Sequence, residues 1–503
     1  MSKAFPYLNQ GAAIAHDAPD DRLALIDLGT GTERRFTYGD LRRLSGAWAA
    51  ALGARNLPPG TRVAILGANR AEYLIAFLGT MQAGLVAVPV NHKLPAETVG
   101  YIVADCDAGL AVGDAERLAL APATLPRIDF DSPEMATALA TTPRPPTTPA
   151  PNDPAMFLYT SGSTGRPKGV VLSHRSHLWV MEIRARPVGP VGQKALVAAP
   201  LYHMNGLAMC QSVFAQGDTI VLLSSFTVRG YIEAAARYRV DFLTSVPTMI
   251  AMMLREPALL TANDLTRVRN VRMGSAPLTQ GLIDQVRRAF PKAGISNGYG
   301  TTEAGPIAFG PHPAGKPQPE LSVGAAHPAV RLRLMRGDRE VDDEGALEMS
   351  CPAQMNGYHK LPEVTARALT PDGYYRTGDV FRRDADGFYF FVGRVDDMFV
   401  CGGENIYPGE VEKMLERHPA VQQAAVIPLP DELKGHKPIA YVVPVPGTTP
   451  TESDIKAFAL ANAPAYQHPR RVLFLDELPL AGTNKIDKKA LAQRATADGI
   501  SVT

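Results

Sequence analysis

The sequence predicts an α/β protein, with a large N-terminal unit of parallel-rich β-sheets flanked by helices and a small α+β unit after it. Three observations carry this reading. Short apolar runs rich in valine alternate with helical patterns through most of the chain, as parallel strands buried on both faces do. A length of 503 residues calls for several cores rather than one. After about Arg394 the pattern changes, and a shorter segment carries its own helix and strands.

The pattern begins at Arg62. Residues 62–68 (RVAILGA) read as a strand, Asn69 stands where a helix cap is expected, and Tyr73, Leu74, Phe77, Leu78 and Met81 fall at helical spacing. Residues 85–90 (LVAVPV) give the next strand. Residues 194–199 (KALVAA) and 241–246 (DFLTSV) repeat it, the latter leading through Pro247 into the apolar helix TMIAMMLRE. Between residues 129 and 154 the many prolines remove backbone donors, so a surface connection without regular helix is expected. In the last segment, 408–417 reads as a helix, with apolar runs at 424–429 and 472–475. The predicted division is 1–394 and 395–503.

Composition removes several classes of function. The 51 basic and 50 acidic side chains leave a net charge of +1, so no overall field attracts nucleic acid or an anionic membrane. Cys106, Cys210, Cys351 and Cys401 are scattered singly, with no spacing suited to zinc, and a reducing compartment is the simplest reading. The N-terminus lacks the apolar core of a signal peptide. No stretch approaches the ~18 apolar residues of a spanning helix. A soluble, cytoplasmic protein is expected, as a monomer or homodimer.

Residues 159–169 read YTSGSTGRPKG after a short apolar run. Gly162, Gly165 and Gly169 let backbone approach a phosphate, while Thr160, Ser161, Ser163 and Thr164 supply hydroxyls and Lys168 a charge. This is not the loop of the P-loop NTPases, because Pro167 precedes the lysine and Gly169 follows it. Nor is it a G-x-G-x-x-G turn. Read alone, it is equally a Gly/Ser surface loop.

Further segments follow in order: GSAPL (Gly274, Ser275, Ala276, Pro277, Leu278), NGYGTTE (Asn297 to Glu303), YRTGD ending at Asp379, GRVDDMFVCGGENIYPGE at 393–410, and NKI at 484–486. With the phosphate loop, this set resembles the acyl-adenylate-forming superfamily, which contains acyl-CoA synthetases, luciferases and the adenylation domains of peptide synthetases. The resemblance runs through nearly the whole chain. The GRVDD and GGEN stretch and Asn484 are most similar to chlorobenzoate–CoA ligase and other aromatic acid–CoA ligases.

The resemblance implies a ligase in two half-reactions. A carboxylate attacks the α-phosphate of ATP to give acyl-adenylate and pyrophosphate; the thiol of coenzyme A then displaces AMP. ATP contacts are implied for Thr160, Ser161, Gly162, Ser163, Thr164, Gly165 and Lys168, for Gly274 through Pro277, and for Asn297, Gly298, Tyr299, Gly300 and Thr301. Tyr299 offers a ring to adenine and Thr302 a hydroxyl to the α-phosphate. Glu303 is the oxygen ligand for Mg²⁺, and Asp379 accepts from the ribose hydroxyls with Arg394 beside it. Lys485 bridges carboxylate and α-phosphate where charge develops; the residue before it is usually glycine and here is Asn484. Read singly, Glu303 is a solvated glutamate, Asp379 a turn residue and Lys485 a surface charge.

By position in the family, Trp179, His203, Met204, Asn205, Thr248, Met249, Gly300, Gly305 and Pro306 wall the acyl pocket, with His203 as its gate. None is an arginine or lysine, so a diacid would bury an unpaired charge. Aromatic acids lead, followed by medium-chain fatty acids. Asp396 resembles the hinge of a rotating C-terminal domain, which after rotation presents Gly402 and Gly403 to the pantetheine arm of coenzyme A. Where the chlorobenzoate type has tryptophan against that arm, this chain has Lys434. Two other readings stand: an adenylating enzyme with a non-CoA acceptor such as a carrier protein, and a nucleotide-binding protein that has lost catalysis. Against the latter, Lys168, Glu303, Asp379, Arg394 and Lys485 are all present.

Overall fold

A computed structural model describes residues 5–161, 166–189, 191–276, 278–401, 403–431, 433–481 and 485–500. Two seven-stranded sheets form the body of the larger unit. The first runs in the order Gly294–Gly298, Asn270–Gly274, Phe242–Ser245, Lys194–Val197, Thr219–Leu222, Leu23–Asp27 and Arg34–Thr37, parallel except at its last pair. The second has the parallel strands Pro154–Ser161, Val86–Pro89, Arg62–Leu66, Ala108–Gly113 and Arg127–Asp129, extended antiparallel by Pro167–Ser173 and Gly357–Tyr358.

Helices fill the space between these sheets. All twelve residues of the helix Ala71–Gln82 are buried, so it has no polar face to show to water; such a helix is explained by packing on every side. Its partner Tyr38–Gly53 approaches closely at Gly79, where a Cβ would lie 2.4 Å from the Ser45 carbonyl oxygen. One core joins residues of both sheets, among them Val63, Ile65, Val197 and Ile220, with Trp48 and Phe77 of the helices between.

Asn69 is not the helix cap. That position belongs to Arg70, whose side chain makes no cap bond and instead pairs with Glu72 and Asp131. The Asn69 amide donates to the carbonyls of Ala199 (3.0 Å) and Leu223 (3.1 Å) and accepts from the Leu201 N–H (2.9 Å). It therefore ties the end of a second-sheet strand to the first-sheet loop that leads to His203. The proline-rich segment also holds a helix that its composition argued against, Pro133–Ala140. Ser132 caps it and Pro133 takes the first helical turn, where a missing N–H costs nothing.

A third sheet, not foreseen from the sequence, is antiparallel throughout, in the order Phe309–Gly310, Gly324–Ala326, Phe388–Arg394, Tyr375–Arg383, Glu344–Ser350, Arg331–Arg336 and Arg339–Val341. In it Asp379 and Arg394 are cross-strand partners. From Phe399 on, the strands Val421–Asp431 and Gly435–Pro444 anchor a small sheet with helices Pro408–Leu415, Glu452–Asn462 and Lys488–Ala497. This part has cores of its own, one around Val411, Leu415 and Val426 and one around Ile427, Tyr441 and Leu491. No described helix is long and apolar enough to cross a membrane.

The two parts touch through Arg255, which donates to Gln423 (3.0 Å), and through Lys413, which donates to the Phe391 carbonyl (2.8 Å). Beside them lies Glu416. Burial pushes its carboxyl up to about 7, although the Ala424 N–H and the Thr279 hydroxyl donate to it. A carboxyl raised in the folded state holds its proton there while the unfolded chain has released it, so stability falls as pH rises from about 4.5 toward 7. Each tenfold difference in proton affinity between the folded and unfolded chain is worth about 1.4 kcal/mol, and Glu416→Gln removes that dependence. Melting curves of both proteins from pH 5 to pH 8 should diverge with the variant the more stable at the alkaline end; parallel curves would show that the carboxyl is not buried in solution.

Candidate active site

The ends of the strands converge on one cleft of about 1130 Å³, bounded on its other side by residues of the C-terminal part, including Lys485. The strand Asn270–Gly274 ends in the GSAPL turn, where Ser275 holds φ +65, a left-handed conformation uncommon outside glycine. The neighbouring strand Gly294–Gly298 ends in Tyr299, whose ring packs edge-on against Phe381 at 4.8 Å between centroids. Its hydroxyl donates to Asp379 Oδ2 at 2.5 Å, and Arg394 Nη1 donates to Asp379 Oδ1 at 2.9 Å. One carboxylate thus joins an aromatic ring and a guanidinium from three stretches of sequence. Each of its oxygens has a second lone pair left for a ligand hydroxyl.

Burial pushes the Asp379 carboxyl above the usual carboxylate range, against the pull of Tyr299, Arg394 and Lys485. On Arg394 burial opposes the charge, but Asp379 and Asp396 outweigh it and the guanidinium sits above its ordinary value. A second group lies beside this one. Lys168, carried by the hairpin strand Pro167–Ser173, has its ammonium 4.8 Å from the Tyr358 ring centroid, and Tyr358 donates to Glu303 Oε1 at 3.0 Å. Among the described residues no cluster of three or more His, Cys, Asp or Glu side chains is placed to hold a metal alone. A single carboxylate such as Glu303 suits a cation that keeps waters and shares phosphate oxygens.

The Ala481 N–H donates to the Lys485 carbonyl (2.7 Å), and Leu480 bridges to Ile486 beside it. The Lys485 side chain keeps contact with solvent inside the cleft, yet the walls remove enough water to hold the ammonium pKa below that of a free lysine, with Asp379 opposing and Arg394 adding. The charge of Lys485 also reaches His203. His203 caps the helix Met204–Ala215 without a side-chain cap bond, burial lowers its imidazole to about 4, and its Nε2 has no partner. A neutral ring here is a wall or gate rather than a cation.

The cleft is lined by Thr160, Lys168, His203, Met204, Asn205, Thr248, Met249, Gly274, Ser275, Ala276, Asn297, Gly298, Tyr299, Gly300, Thr301, Thr302, Glu303, Pro306, Asp379, Arg394, Asp396 and Lys485. Trp179 and Gly305 are not among its walls. Trp179 packs behind them, edge-on to His327 at 6.3 Å, and a Cβ at Gly305 would point into Ala353. Gly403 and Lys434 also lie away from the cleft, Lys434 exposed with its N–H on Asp431. Gly162, Ser163, Thr164 and Gly165, the side chain of Ser161, Pro277, Gly402 and Asn484 lie outside the described residues. Cys401 is buried in the C-terminal core.

Some lining residues went unnoticed in the sequence. Tyr358 carries no local signal; Tyr375 and Thr377 stood in plain view within YRTGD. More consequential are Arg184 and Arg272. They overturn the premise that no basic side chain reaches the acyl pocket, since Arg272 Nη1 donates to Asn205 Oδ1 at 3.3 Å.

Residues 12–359 match the family model of the AMP-binding enzymes, and residues 410–485 match that family's C-terminal domain. The chain belongs to the acyl-adenylate-forming superfamily of AMP-binding enzymes. Within it the chain falls on the acyl-CoA synthetase branch. It is similar to the fatty acid–[acyl-carrier-protein] ligase ScoC of Streptomyces coeruleorubidus, at 34% identity covering 92% of each chain. It is as similar to a feruloyl-CoA synthase of an Amycolatopsis species, 34% identical over 91% of this chain and 94% of that one. Among solved structures, the anthranilate CoA ligase AuaEII in complex with anthranoyl-AMP superposes with a TM-score of 0.86 at 25% identity, covering 98% of both chains.

Proposed function

We propose that this family member joins a carboxylic acid to coenzyme A through an acyl-adenylate, with residues 1–394 as the adenylating domain and 395–503 as a mobile domain hinged near Asp396. The observation that carries the reading is the meeting of Lys485 with Asp379 and Arg394 in one cleft. Tyr299 takes the adenine ring, and Asp379 accepts the ribose hydroxyls while Arg394 holds its other side. The loop from Thr160 through Gly165, Lys168, Gly274 through Pro277, and Asn297 through Thr301 frame the phosphates and nucleotide.

The carboxylate enters between Lys485 and Thr302. Its oxygen attacks the α-phosphate, the bond to the bridging oxygen breaks, and pyrophosphate leaves. Lys485 is cationic and partly desolvated, so its field acts on the charge developing at the α-phosphate more strongly than it would in water. Mg²⁺ bound to ATP and Glu303 would neutralise phosphate charge, and Tyr358 orients the Glu303 carboxylate for it. Met204, Met249, Thr248, Pro306 and the neutral His203 enclose the acid's apolar body, where methionine adapts to a ring or a chain. In the second half-reaction the thiolate attacks the acyl carbon and AMP leaves; Gly402, Gly403 and Lys434 are assigned to the domain face that then meets coenzyme A.

A carrier protein is the competing acceptor, favoured by the likeness to ScoC. The deciding experiment is pyrophosphate release with ATP, Mg²⁺ and a panel of acids, with coenzyme A or a phosphopantetheinylated carrier protein added and product masses recorded. Acid-dependent release yielding an acyl-CoA is expected. Release that loads only the carrier protein would move the enzyme to the second reading, and no release with any acid would overturn adenylation.

A further inference from the structure

Several enclosed guanidiniums among the described residues are neutralised by carboxylates. Arg34 meets Asp27 and Glu72, Arg70 meets Glu72 and Asp114, and Arg333 meets Glu348. Arg272 and Arg184, which face the cleft, are not so neutralised. Arg272, on the strand Asn270–Gly274, lays its guanidinium against Gly298, so closely that a Cβ there would lie 2.7 Å from Nη2, and donates to Asn205 Oδ1 at 3.3 Å. Arg184 ends the helix His174–Ile183 and lines the same cleft. Among the described residues neither pairs with a carboxylate.

Two like charges half-buried in the wall of a cleft with no counter-ion are costly. Burial lowers the Arg184 guanidinium to about 9, with the charge of Arg272 adding, and burial also lowers Arg272. Asn205 Nδ2 and His203 Nε2, in the same corner, are buried without partners. This corner adjoins the nucleotide centre at Gly298 but is not part of the Asp379–Arg394–Lys485 group. The charges that act on Asp379 and Lys485 are those of Arg394, Glu303 and each other, whereas Arg184 acts on His177.

Resting on the adenylation proposed above, we infer that the acid substrate carries a second anionic group, a carboxylate or sulfonate, which Arg272 and Arg184 hold at the end of the acyl cleft with the Asn205 amide. One end of the acid is activated beside Lys485 while the other neutralises the arginine pair. A monocarboxylate of the same body leaves both guanidiniums unpaired, and a site built for a polar group discriminates strongly against the analogue that lacks it.

The test compares kcat/KM for pyrophosphate release across pairs matched in body: acetate with malonate and sulfoacetate, hexanoate with adipate, benzoate with isophthalate and terephthalate. The dianionic member of at least one pair is expected to be preferred by on the order of 100-fold. Arg272→Met should collapse that ratio and Arg272→Lys restore part of it, with Arg184→Met read in parallel should the first variant fail to fold. A ratio favouring the monocarboxylates, or one that both arginine variants leave unmoved, overturns the second anion and leaves adenylation standing. No release with any member of any pair overturns the adenylation itself.

Discussion

Lys485→Ala should lower acid-dependent pyrophosphate release by about 10²–10³-fold, the usual loss when one preorganised group facing developing charge is removed. The same protein, given a synthetic acyl-adenylate and coenzyme A, should form thioester at a rate of the same order as the parent. The asymmetry follows from where Lys485 sits. It is carried by the C-terminal part and lines the cleft next to the bridge between Leu480 and Ile486. A domain rotating as proposed to bring coenzyme A to the site would carry Lys485 away. Equal loss of both half-reactions in a folded variant would contradict the two-position reading.

Asp379→Asn is expected to raise the KM for ATP by about 100-fold, the loss of charge-assisted bonds to both ribose hydroxyls, with little change in melting temperature. Thermal stability separates a binding role from a structural one. Burial already holds the Asp379 carboxyl above its ordinary range, so its charge is a net burden on the folded state; an amide without that charge keeps its oxygen as acceptor for Arg394 and turns its N–H toward the Tyr299 hydroxyl, which can accept. By linkage, a raised carboxyl weakens the fold as pH rises through its titration, so the Asn variant should be relatively more stable above that range. A variant that loses ATP affinity only together with its fold would make Asp379 a structural residue.

Much of this arrangement was legible because ordered motifs fix which residues share a cleft even when periodicity cannot. Glu303, Asp379 and Lys485 are spread across nearly two hundred positions, and only family order links them before folding does. Helix and strand alternation located the two mixed sheets, since runs such as RVAIL and KALV are long enough and bounded clearly enough to read. The antiparallel sheet was missed because strands such as RLRLMR are rich in arginine, with Leu334 alone of its six residues fully buried, and resemble loop on composition alone. Asn69 failed for another reason: an amide can cap a helix locally or bridge two loops far apart in sequence, and only the second satisfies all three of its bonds here. Arg184 and Arg272 were invisible as site residues because an arginine at a helix end or on a strand is usually paired or solvated, and that neither is paired becomes apparent only in three dimensions.

The pairing of Asp379 with Arg394 continues one step further, into the Val395 N–H bond to the Gly378 carbonyl at 2.8 Å. Asp396 is the next residue. A swivel at that point would start just beyond the last rung of the ladder, so it could swing the lysine-bearing part without loosening the Asp379–Arg394 pair proposed to hold the sugar. The enzyme would then hold its activated intermediate by the nucleotide end throughout the swing, and AMP, not the acyl group, would be the last thing to let go.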